Sequence, residues 1–311
     1  MRTVKDVKKT FDYLFGELGK VIVGQDEVLH QIVVGLFCNG HVLLEGYPGV
    51  AKTLTVRTLS ELMDLKFSRI QNTPDLLPSD VTGTYLVEET SSGKRSFKFQ
   101  QGPIFANIVL ADEINRATPK TQSAMLEAMQ EHQVTAGNQT YTLEEPFFVL
   151  ATQNPIEQEG TYPLPEAQSD RFLLKVKVGY PSTEDELKIV DRFTEVTKAA
   201  RLKPILNRET LLYIQGLTRQ VPISNDIKKY AVGIVQKSRN QKDLIEYGAS
   251  PRASIGLVLA GKARALLAGR RFVSKEDIQE MAYPILRHRI VLSFEAERQN
   301  MSEDAVIKKL L

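Results

Sequence analysis

The most informative residues of this chain are 46–53, which read Gly46-Tyr47-Pro48-Gly49-Val50-Ala51-Lys52-Thr53 and follow the apolar run Val42-Leu43-Leu44. This order is typical of a phosphate-binding loop that joins a buried strand to a helix. Glycine-rich backbone can turn its N–H groups onto phosphate oxygens, and the N-terminus of the helix adds partial positive charge. Lys52 would reach the outer phosphates, and the Thr53 hydroxyl is placed to bind Mg²⁺. The pattern therefore predicts an α/β domain that binds a phosphorylated ligand.

The loop departs from the generic pattern G-x-x-x-x-G-K-[ST] at one position, where Ala51 replaces the second glycine. Alanine is tolerated there only if its φ stays negative, so we expect a negative φ at Ala51. The alternative is a chance match within a loop rich in glycine and proline. If the match is genuine, the loop residues that contact the ligand are Gly46, Pro48, Gly49, Val50, Ala51, Lys52, Thr53 and Leu54.

Two carboxylates follow a second strand candidate. Ile108-Val109-Leu110-Ala111 is a short apolar run, typical of a strand covered on both faces of a parallel sheet, and Asp112-Glu113 comes directly after it. Ligands of open α/β sheets bind beyond the carboxyl ends of the strands. We expect Asp112 to hold Mg²⁺, directly or through water, and Glu113 to act as general base toward the water that attacks a γ-phosphate. The alternative is a solvated acidic turn.

A third strand candidate, residues 147–151, continues through Thr152 and Gln153 to Asn154. An asparagine at the tip of a strand beside the phosphate loop can contact both the γ-phosphate and the attacking water. Taken alone, Asn154-Pro155 is more typical of a turn. The order of the three motifs along the chain favours the catalytic interpretation.

Composition limits the remaining classes of function. The 311 residues suffice for about two domains, and the net charge of +2 gives no global field that would attract nucleic acid or anionic membranes. The single cysteine, Cys38, excludes internal disulfides, and the four histidines show no metal-ligand spacing. Residues 1–20 do not read as a signal peptide, and no apolar run reaches membrane-spanning length. We therefore expect a cytoplasmic protein without membrane insertion.

Periodicity predicts helices over residues 1–40, a strand–loop–helix unit over 41–64 and a further strand at 67–70. Two hairpins then interrupt the alternation of strands and helices. The first has strands 84–88 and 96–100, joined through Ser91-Ser92-Gly93, and the second has strands 134–135 and 140–143. A last strand, 172–178, ends at Gly179-Tyr180-Pro181-Ser182, beyond which every segment reads as helix. We predict a nucleotide-binding domain with N-terminal helices over 1–179 and an all-α domain over 180–311.

The chain resembles the MoxR family of AAA+ ATPases over nearly its whole length. The family carries alanine where this loop has Ala51, so the departure from the generic pattern supports the resemblance. The matching segments, all in the family's order, are Ile22-Val23-Gly24-Gln25, residues 46–53, Arg69-Ile70-Gln71 through Gly83, Leu110 through Ala117, Ala151 through Pro155, Tyr162 through Phe172, and Ala249-Ser250-Pro251-Arg252-Ala253.

The resemblance implies an AAA+ P-loop core, with a five-strand parallel sheet, helices on both faces and two β-hairpin insertions, plus an all-α lid. It implies a ring of six subunits that binds ATP and Mg²⁺. It assigns adenine to the backbone around Val23 and Gly24, the first sensor to Asn154, and a γ-phosphate contact in cis to Arg252. Arg171 would be the arginine finger that reaches the neighbouring subunit's site. From the residues alone, a surface arginine paired with Asp170 is the simpler interpretation.

The resemblance also implies a remodelling or maturation chaperone that acts on client or adaptor proteins, some of them with von Willebrand A domains. The hairpins could grip a polypeptide through Tyr85 and Tyr141, or these tyrosines could simply pack across their strands. A nucleic-acid-translocating ring ATPase is the alternative, because Lys94, Arg95 and Lys98 make one hairpin basic. A scaffold that binds ATP without hydrolysing it is the third hypothesis.

Overall fold

The computed structural model describes residues 4–89, 95–156, 160–194 and 202–311. The strands are β1 Val42–Gly46, β2 Phe67–Gln71, β3 Gly83–Glu89, β4 Arg95–Gln101, β5 Ile108–Asp112, β6 Gln133–Ala136, β7 Gln139–Thr142, β8 Phe148–Gln153, β9 Leu174–Val178, β10 Ile245–Tyr247 and β11 Val291–Leu292. The helices are α1 Val4–Gly19, α2 Asp26–Phe37, α3 Lys52–Leu62, α4 Pro78–Thr82, α5 Pro119–Glu131, α6 Glu166–Ser169, α7 Thr183–Thr194, α8 Arg208–Gln220, α9 Asn225–Asn240, α10 Pro251–Leu267, α11 Lys275–Leu286, α12 Phe294–Arg298 and α13 Glu303–Leu310.

Five strands form one parallel sheet in the order β2-β5-β8-β1-β9. This confirms the predicted five-strand parallel core. β8 lies between β5 and β1, so Asn154 emerges beside both the acidic pair and the phosphate loop. Because all five strands run the same way, their carboxyl ends meet at one edge of the sheet.

The two faces of the sheet bury different helices, because successive side chains of a strand point to opposite faces. Val42, Leu44 and Leu110 belong to an apolar cluster shared with α1, α2, α3 and the C-terminal helices. Leu43 and Val109 belong to a second cluster shared with α5. The sheet is thus covered on both faces, as predicted, and β5 is buried at every residue.

The C-terminal part is helical, with one addition that periodicity did not predict. β10 and β11 pair antiparallel as a short ribbon. β9 ends at Val178 and α7 begins at Thr183, so residues 179–182 connect the two parts, where the domain boundary was predicted. Within the described part of the chain, no helix has both the length and the apolar character needed to cross a bilayer.

Both predicted hairpins are present, as β3–β4 and β6–β7. The predicted turn at Ser91-Ser92-Gly93 lies outside the described residues. The hairpins contact each other through a half-buried aromatic cluster: the Tyr85 and Tyr141 hydroxyls are 2.9 Å apart, and the Phe99 and Tyr141 rings stack with centroids 4.2 Å apart. Tyr85 also lies opposite Phe99 across β3–β4. The two tyrosines therefore pack within the hairpin pair, which favours the packing interpretation over direct grip.

A buried histidine at the start of β1 makes stability depend on pH. His41 Nε2 lies 2.9 Å from Met129 O, and its Nδ1 accepts the Val149 N–H at 3.0 Å, so the neutral ring uses both nitrogens. Burial lowers the pKa of His41 to about 4 from the usual 6.5, outweighing the contact with the Met129 carbonyl. The unfolded chain therefore takes up a proton at a higher pH than the folded chain does.

We expect the contribution of His41 to be complete above pH 6.5 and to be lost as pH falls toward 4, by about 3 kcal/mol in total. Denaturant unfolding of the wild type and of His41→Gln between pH 7 and pH 4 measures this. Over that range His41→Gln should lose about 3 kcal/mol less of its free energy of unfolding than the wild type does. His30→Gln, at an exposed histidine, should keep the wild-type slope; equal slopes for all three proteins would contradict the assignment.

Candidate active site

The loop between β1 and α3 lines a cavity of about 420 Å³. The strand-end residues Asp112, Glu113 and Asn154 line the same cavity. The structure thus brings the three sequence-predicted motifs together at the carboxyl edge of the sheet. The contributing loop residues are Pro48, Gly49, Val50, Ala51, Lys52, Thr53 and Leu54.

Ala51 contradicts the expectation of a negative φ. Its φ is 58° and its ψ 22°, in the left-handed region, directly before the first residue of α3. The neighbouring Gly49 also has a positive φ, of 81°. Two left-handed residues in one short loop turn the chain sharply from strand into helix. The generic glycine at this position would adopt this conformation without strain, whereas alanine carries it at a cost.

Ala51→Gly should therefore stabilise the fold. Removing the Cβ relieves the left-handed strain, and the greater freedom of glycine in the unfolded chain offsets part of the gain, leaving roughly 0.5–1 kcal/mol. Denaturant titration in the absence of nucleotide measures the change. The matched control is Ala124→Gly inside α5, where the same substitution should destabilise by roughly 0.5–1 kcal/mol. A loss of stability in Ala51→Gly would show that the loop is not strained there.

Lys52 and Thr53 open α3 and carry the polar groups of the loop. Lys52 Nζ donates to Gly46 O at 2.7 Å, so the ammonium group links the two ends of the loop. Thr53 Oγ1 donates to Asp112 Oδ2 at 3.3 Å. The hydroxyl and the carboxylate that were predicted as metal ligands are therefore direct neighbours.

Asp112 is held by residues of β2 and β8, the two strands that flank β5. Its Oδ1 accepts the Thr152 hydroxyl at 2.6 Å, and its Oδ2 accepts Arg69 Nη2 at 2.7 Å and Nε at 3.2 Å. The same Thr152 hydroxyl accepts the Glu113 N–H at 2.8 Å. Thr152 on β8 therefore holds the two consecutive acidic residues together, and Arg69 on β2 balances the charge of the first.

Glu113 adopts a left-handed conformation, with φ 55° and ψ 52°. This turns its side chain away from the direction that a continuing strand would impose. Its Oε2 accepts Gln71 Nε2 at 3.1 Å and Arg116 Nη1 at 3.2 Å. These contacts orient the carboxylate at the cavity.

The donor set at the cavity fits Mg²⁺. Thr53 and Asp112 supply oxygen ligands, which this hard cation prefers, and a magnesium site typically needs only one or two carboxylates besides substrate phosphates and water. The residues that the structure describes contain no cluster of three or more His, Cys, Asp or Glu side chains suited to a metal. The two oxygen donors at the cavity therefore suit a metal that would be bound together with phosphate.

Val23 and Gly24 line a second cavity, of about 490 Å³, together with α7. Gln25 Nε2 donates to Val50 O at 2.6 Å and so ties this segment to the phosphate loop. Gly24 has a φ of 70°, and a Cβ there would lie 2.6 Å from Asp185 Oδ2. A side chain at position 24 would clash with Asp185 at this close approach of α7.

Arg252 lies at the start of α10, where a cation is disfavoured unless an anion is near. Its Nη1 is 3.3 Å from Asp170 Oδ2, and Ser250 Oγ donates to the same oxygen at 2.9 Å. Arg252 is not among the residues that line the loop cavity. The anionic partner that its position called for is thus an aspartate of the core.

Arg171 is half-buried and lines a separate cavity of about 230 Å³ with residues of α5, including Glu127 and Glu131. The Asp170 carboxylate is instead engaged by Arg252 and Arg289. Among the contacts of the described residues, none pairs the Arg171 guanidinium with Asp170. The structure therefore places Arg171 away from the loop cavity of its own chain.

Sequence reasoning missed the residues that hold the acidic pair. Arg69, Gln71 and Thr152 lie on β2 and β8, the two strands that flank β5. Each was quoted within a longer segment, but none was assigned a contact, because strand order cannot be read from local pattern. Their position at or near strand ends is the one sequence signal that could have pointed to them.

Comparison with known proteins matches both parts of the chain. Residues 41–174 match the model of the ATPase family associated with various cellular activities (AAA). Residues 237–310 match the model of the AAA lid domain. The first match covers both hairpins and four strands of the parallel sheet and ends at the first residue of β9, and the second covers the end of α9 through α13.

Full-length relatives agree with these matches. The chain is 44% identical over 310 residues to the chaperone MoxR1 of Mycobacterium tuberculosis, covering 97% of this chain and 81% of that protein. It is 28% identical over 320 residues to protein MoxR of Methylorubrum extorquens, covering 93% of this chain and 90% of that protein. It also superposes on the crystal structure of a candidate ATPase from Cytophaga hutchinsonii with a TM-score of 0.91 and 44% identity, covering 99% of this chain and 94% of that one.

Proposed function

The chain belongs to the MoxR family of AAA+ ATPases, and from this premise we propose that it is a Mg²⁺-dependent ATPase that works as a ring of six subunits to remodel partner proteins. The observation that carries the proposal is the single cavity lined by the phosphate loop, the Asp112-Glu113 pair and Asn154. Each motif has a separate role in phosphoryl transfer, and their convergence supports hydrolysis over mere binding.

In the proposed reaction the protein positions the phosphates and polarises the attacking water. The loop N–H groups and Lys52 would hold the phosphates, and Thr53 and Asp112 would hold Mg²⁺, which when bound would supply positive charge against the phosphate oxygens. Glu113 takes the proton of the attacking water, and Asn154 orients that water. Asn154 is buried beside Glu113, and its Oδ1 accepts the Ile156 N–H at 3.2 Å, which fixes its amide group.

In this scheme Lys52 exchanges its contact with Gly46 O for a phosphate oxygen, and Arg252 exchanges Asp170 for the γ-phosphate in cis. Both changes would be relayed to the C-terminal part, which begins after residues 179–182. The Tyr47 ring in the loop stacks on the Tyr180 ring in this connection, with centroids 4.6 Å apart. This stack gives a direct mechanical link between the phosphate loop and the lid.

The proposed partner surface is the outer end of the first hairpin. Val87 and Phe97 lie opposite each other on β3 and β4, and their exposed fractions are 57% and 77%. The exposed fraction of the neighbouring Leu86 is 44%. Exposed apolar side chains on a hairpin suit contact with a polypeptide. The tyrosines below them join the two hairpins, so both would move as one unit. Client or adaptor proteins, including those with von Willebrand A domains, are the partners we propose.

The nucleic-acid alternative is not favoured. Lys98 Nζ lies 3.0 Å from Glu88 Oε1, so one of the three basic side chains of the hairpin is paired with an acid. Arg95 lies opposite Glu89 in the strand register, and Lys94 lies outside the described residues. The described residues of this hairpin do not form the basic surface with interleaved aromatic side chains that single-strand binding needs.

Phosphate release tests the proposal. The purified chain should hydrolyse ATP only when Mg²⁺ is supplied, with a rate per subunit that rises with protein concentration as rings form, because each site needs a neighbour. Single-stranded DNA should leave the rate unchanged. Nucleotide binding without phosphate release would favour the scaffold hypothesis, and a strong, salt-sensitive stimulation by DNA would favour the nucleic-acid motor.

A further inference from the structure

Arg289, at the end of the segment after α11, makes an unusual set of contacts with the core. Its side chain is only 3% exposed. Its Nε donates to Asp170 Oδ1 at 2.7 Å, and its Nη2 donates to Asp170 O at 3.2 Å and to Phe172 O at 2.5 Å. Its Nη1 donates to Leu173 O at 2.9 Å and to Ile285 O at 2.6 Å. All five N–H groups of the guanidinium therefore have an acceptor.

Four of these five acceptors flank one residue of the core in the sequence. Asp170 precedes Arg171, whereas Phe172 and Leu173 follow it, so Arg289 holds the backbone on both sides of Arg171. A planar guanidinium with fixed donor directions sets the orientation of the groups that it binds more closely than an ammonium can. The direction in which the Arg171 side chain leaves the backbone is therefore set by a residue of the lid.

We infer that Arg289 is the positioning residue for Arg171: it aims the arginine finger of one subunit into the catalytic site of its neighbour. The inference rests on the proposed function, because it needs Arg171 to act in trans. It differs from a purely structural role, in which Arg289 would only join the lid to the core. The difference can be measured, because a defect in aiming appears in the neighbour's site and not in the variant's own.

Arg289→Lys is the informative variant. Lysine keeps the charge but supplies only three donors from a single point, so it cannot hold both sides of Arg171. We expect the rate of ATP hydrolysis to fall by about 10²-fold with little change in KM, since a misplacement of about 1 Å at a reacting group has that effect. ATP binding, measured by titration, should be unchanged because the loop cavity is intact.

The matched control is Arg287→Lys. Arg287 also joins the lid to the core, since it binds both carboxylate oxygens of Asp304 at 2.6 and 2.9 Å and donates to Lys175 O at 3.3 Å. It holds no residue next to Arg171. Arg287→Lys should therefore lose stability to a similar degree while hydrolysing ATP at close to the wild-type rate. Thermal unfolding of both variants compares their effects on the fold.

Mixed rings distinguish a residue that orients Arg171 toward the neighbouring site from one that only joins the lid to the core. Lys52→Ala subunits lack a working phosphate site but carry a correctly oriented Arg171. Arg289→Lys subunits have a working phosphate site but carry a misplaced Arg171. In rings assembled from equal amounts, about a quarter of the interfaces pair a working site with a well-aimed finger, so hydrolysis should recover toward that fraction of the wild-type rate. Arg171→Ala mixed with Lys52→Ala should recover similarly, whereas Arg252→Ala mixed with Lys52→Ala should not, because Arg252 acts in cis.

Recovery in both the Arg289 and the Arg171 mixtures supports the inference. If the Arg171 mixture recovers and the Arg289 mixture does not, Arg289 acts within its own subunit and the inference is overturned alone. If neither recovers, the trans finger itself is overturned, together with the proposed ring mechanism. Should Arg289→Lys fail to fold, Asp170→Asn replaces it: that change weakens the charge-assisted contact with Arg289 Nε, and it must show the same recovery with Lys52→Ala.

Discussion

Replacing Glu113 with glutamine should lower the rate of ATP hydrolysis by roughly 10²–10⁴-fold while leaving ATP bound. The amide oxygen of glutamine can still accept from Gln71 Nε2 and Arg116 Nη1, which contact Glu113 Oε2 at 3.1 and 3.2 Å. The orientation of the side chain is therefore kept. What is lost is the carboxylate oxygen that takes the proton from the attacking water.

Single-turnover phosphate release and ATP titration, carried out on the same preparation, measure the two parts of this prediction. Glu61→Gln on α3 is the matched control, because Glu61 is exposed and pairs with Arg57 on the same helix, at 3.1 Å. It should hydrolyse ATP at the wild-type rate. Glu113→Gln activity above about a tenth of the wild-type rate would exclude Glu113 as the general base.

Arg171→Ala should reduce hydrolysis even more, by about 10³–10⁵-fold, because an arginine supplied by a neighbouring subunit stabilises the charge of the transition state. ATP binding should persist, since Arg171 lies outside the loop cavity of its own chain. The competing interpretation, a surface arginine paired with Asp170, predicts no loss. The structure gives that interpretation little support, because the Asp170 carboxylate binds Ser250, Arg252 and Arg289.

Arg298→Ala serves as the control for this variant, because Arg298 is exposed on α12 and pairs with Glu295 at 3.1 Å. Sedimentation of both variants with ATP shows whether rings still form. An Arg171→Ala protein that assembles and turns over ATP like the wild type would remove Arg171 from the site. One that no longer assembles would instead assign Arg171 to the interface alone.

Much of this molecule could be predicted from local pattern. The loop at 46–53, the acidic pair after residues 108–111 and Asn154 after the next strand were identified as candidates for one site, and they line one cavity. The reason is general: the carboxyl ends of parallel strands meet at one edge, so order along the chain is enough to place them. Both hairpins followed from strand periodicity and turn residues in the same way.

Other features depend on which strands and helices become neighbours. Arg69 and Thr152 hold Asp112 because β2 and β8 flank β5, and Tyr85 meets Tyr141 because two hairpins fold against each other. Arg289 contacts the backbone on both sides of Arg171 for the same reason. A side chain's partners lie tens or hundreds of residues away, and periodicity carries no information about them. Residue types and their spacing thus specify which groups reach the site, and packing specifies how each is held.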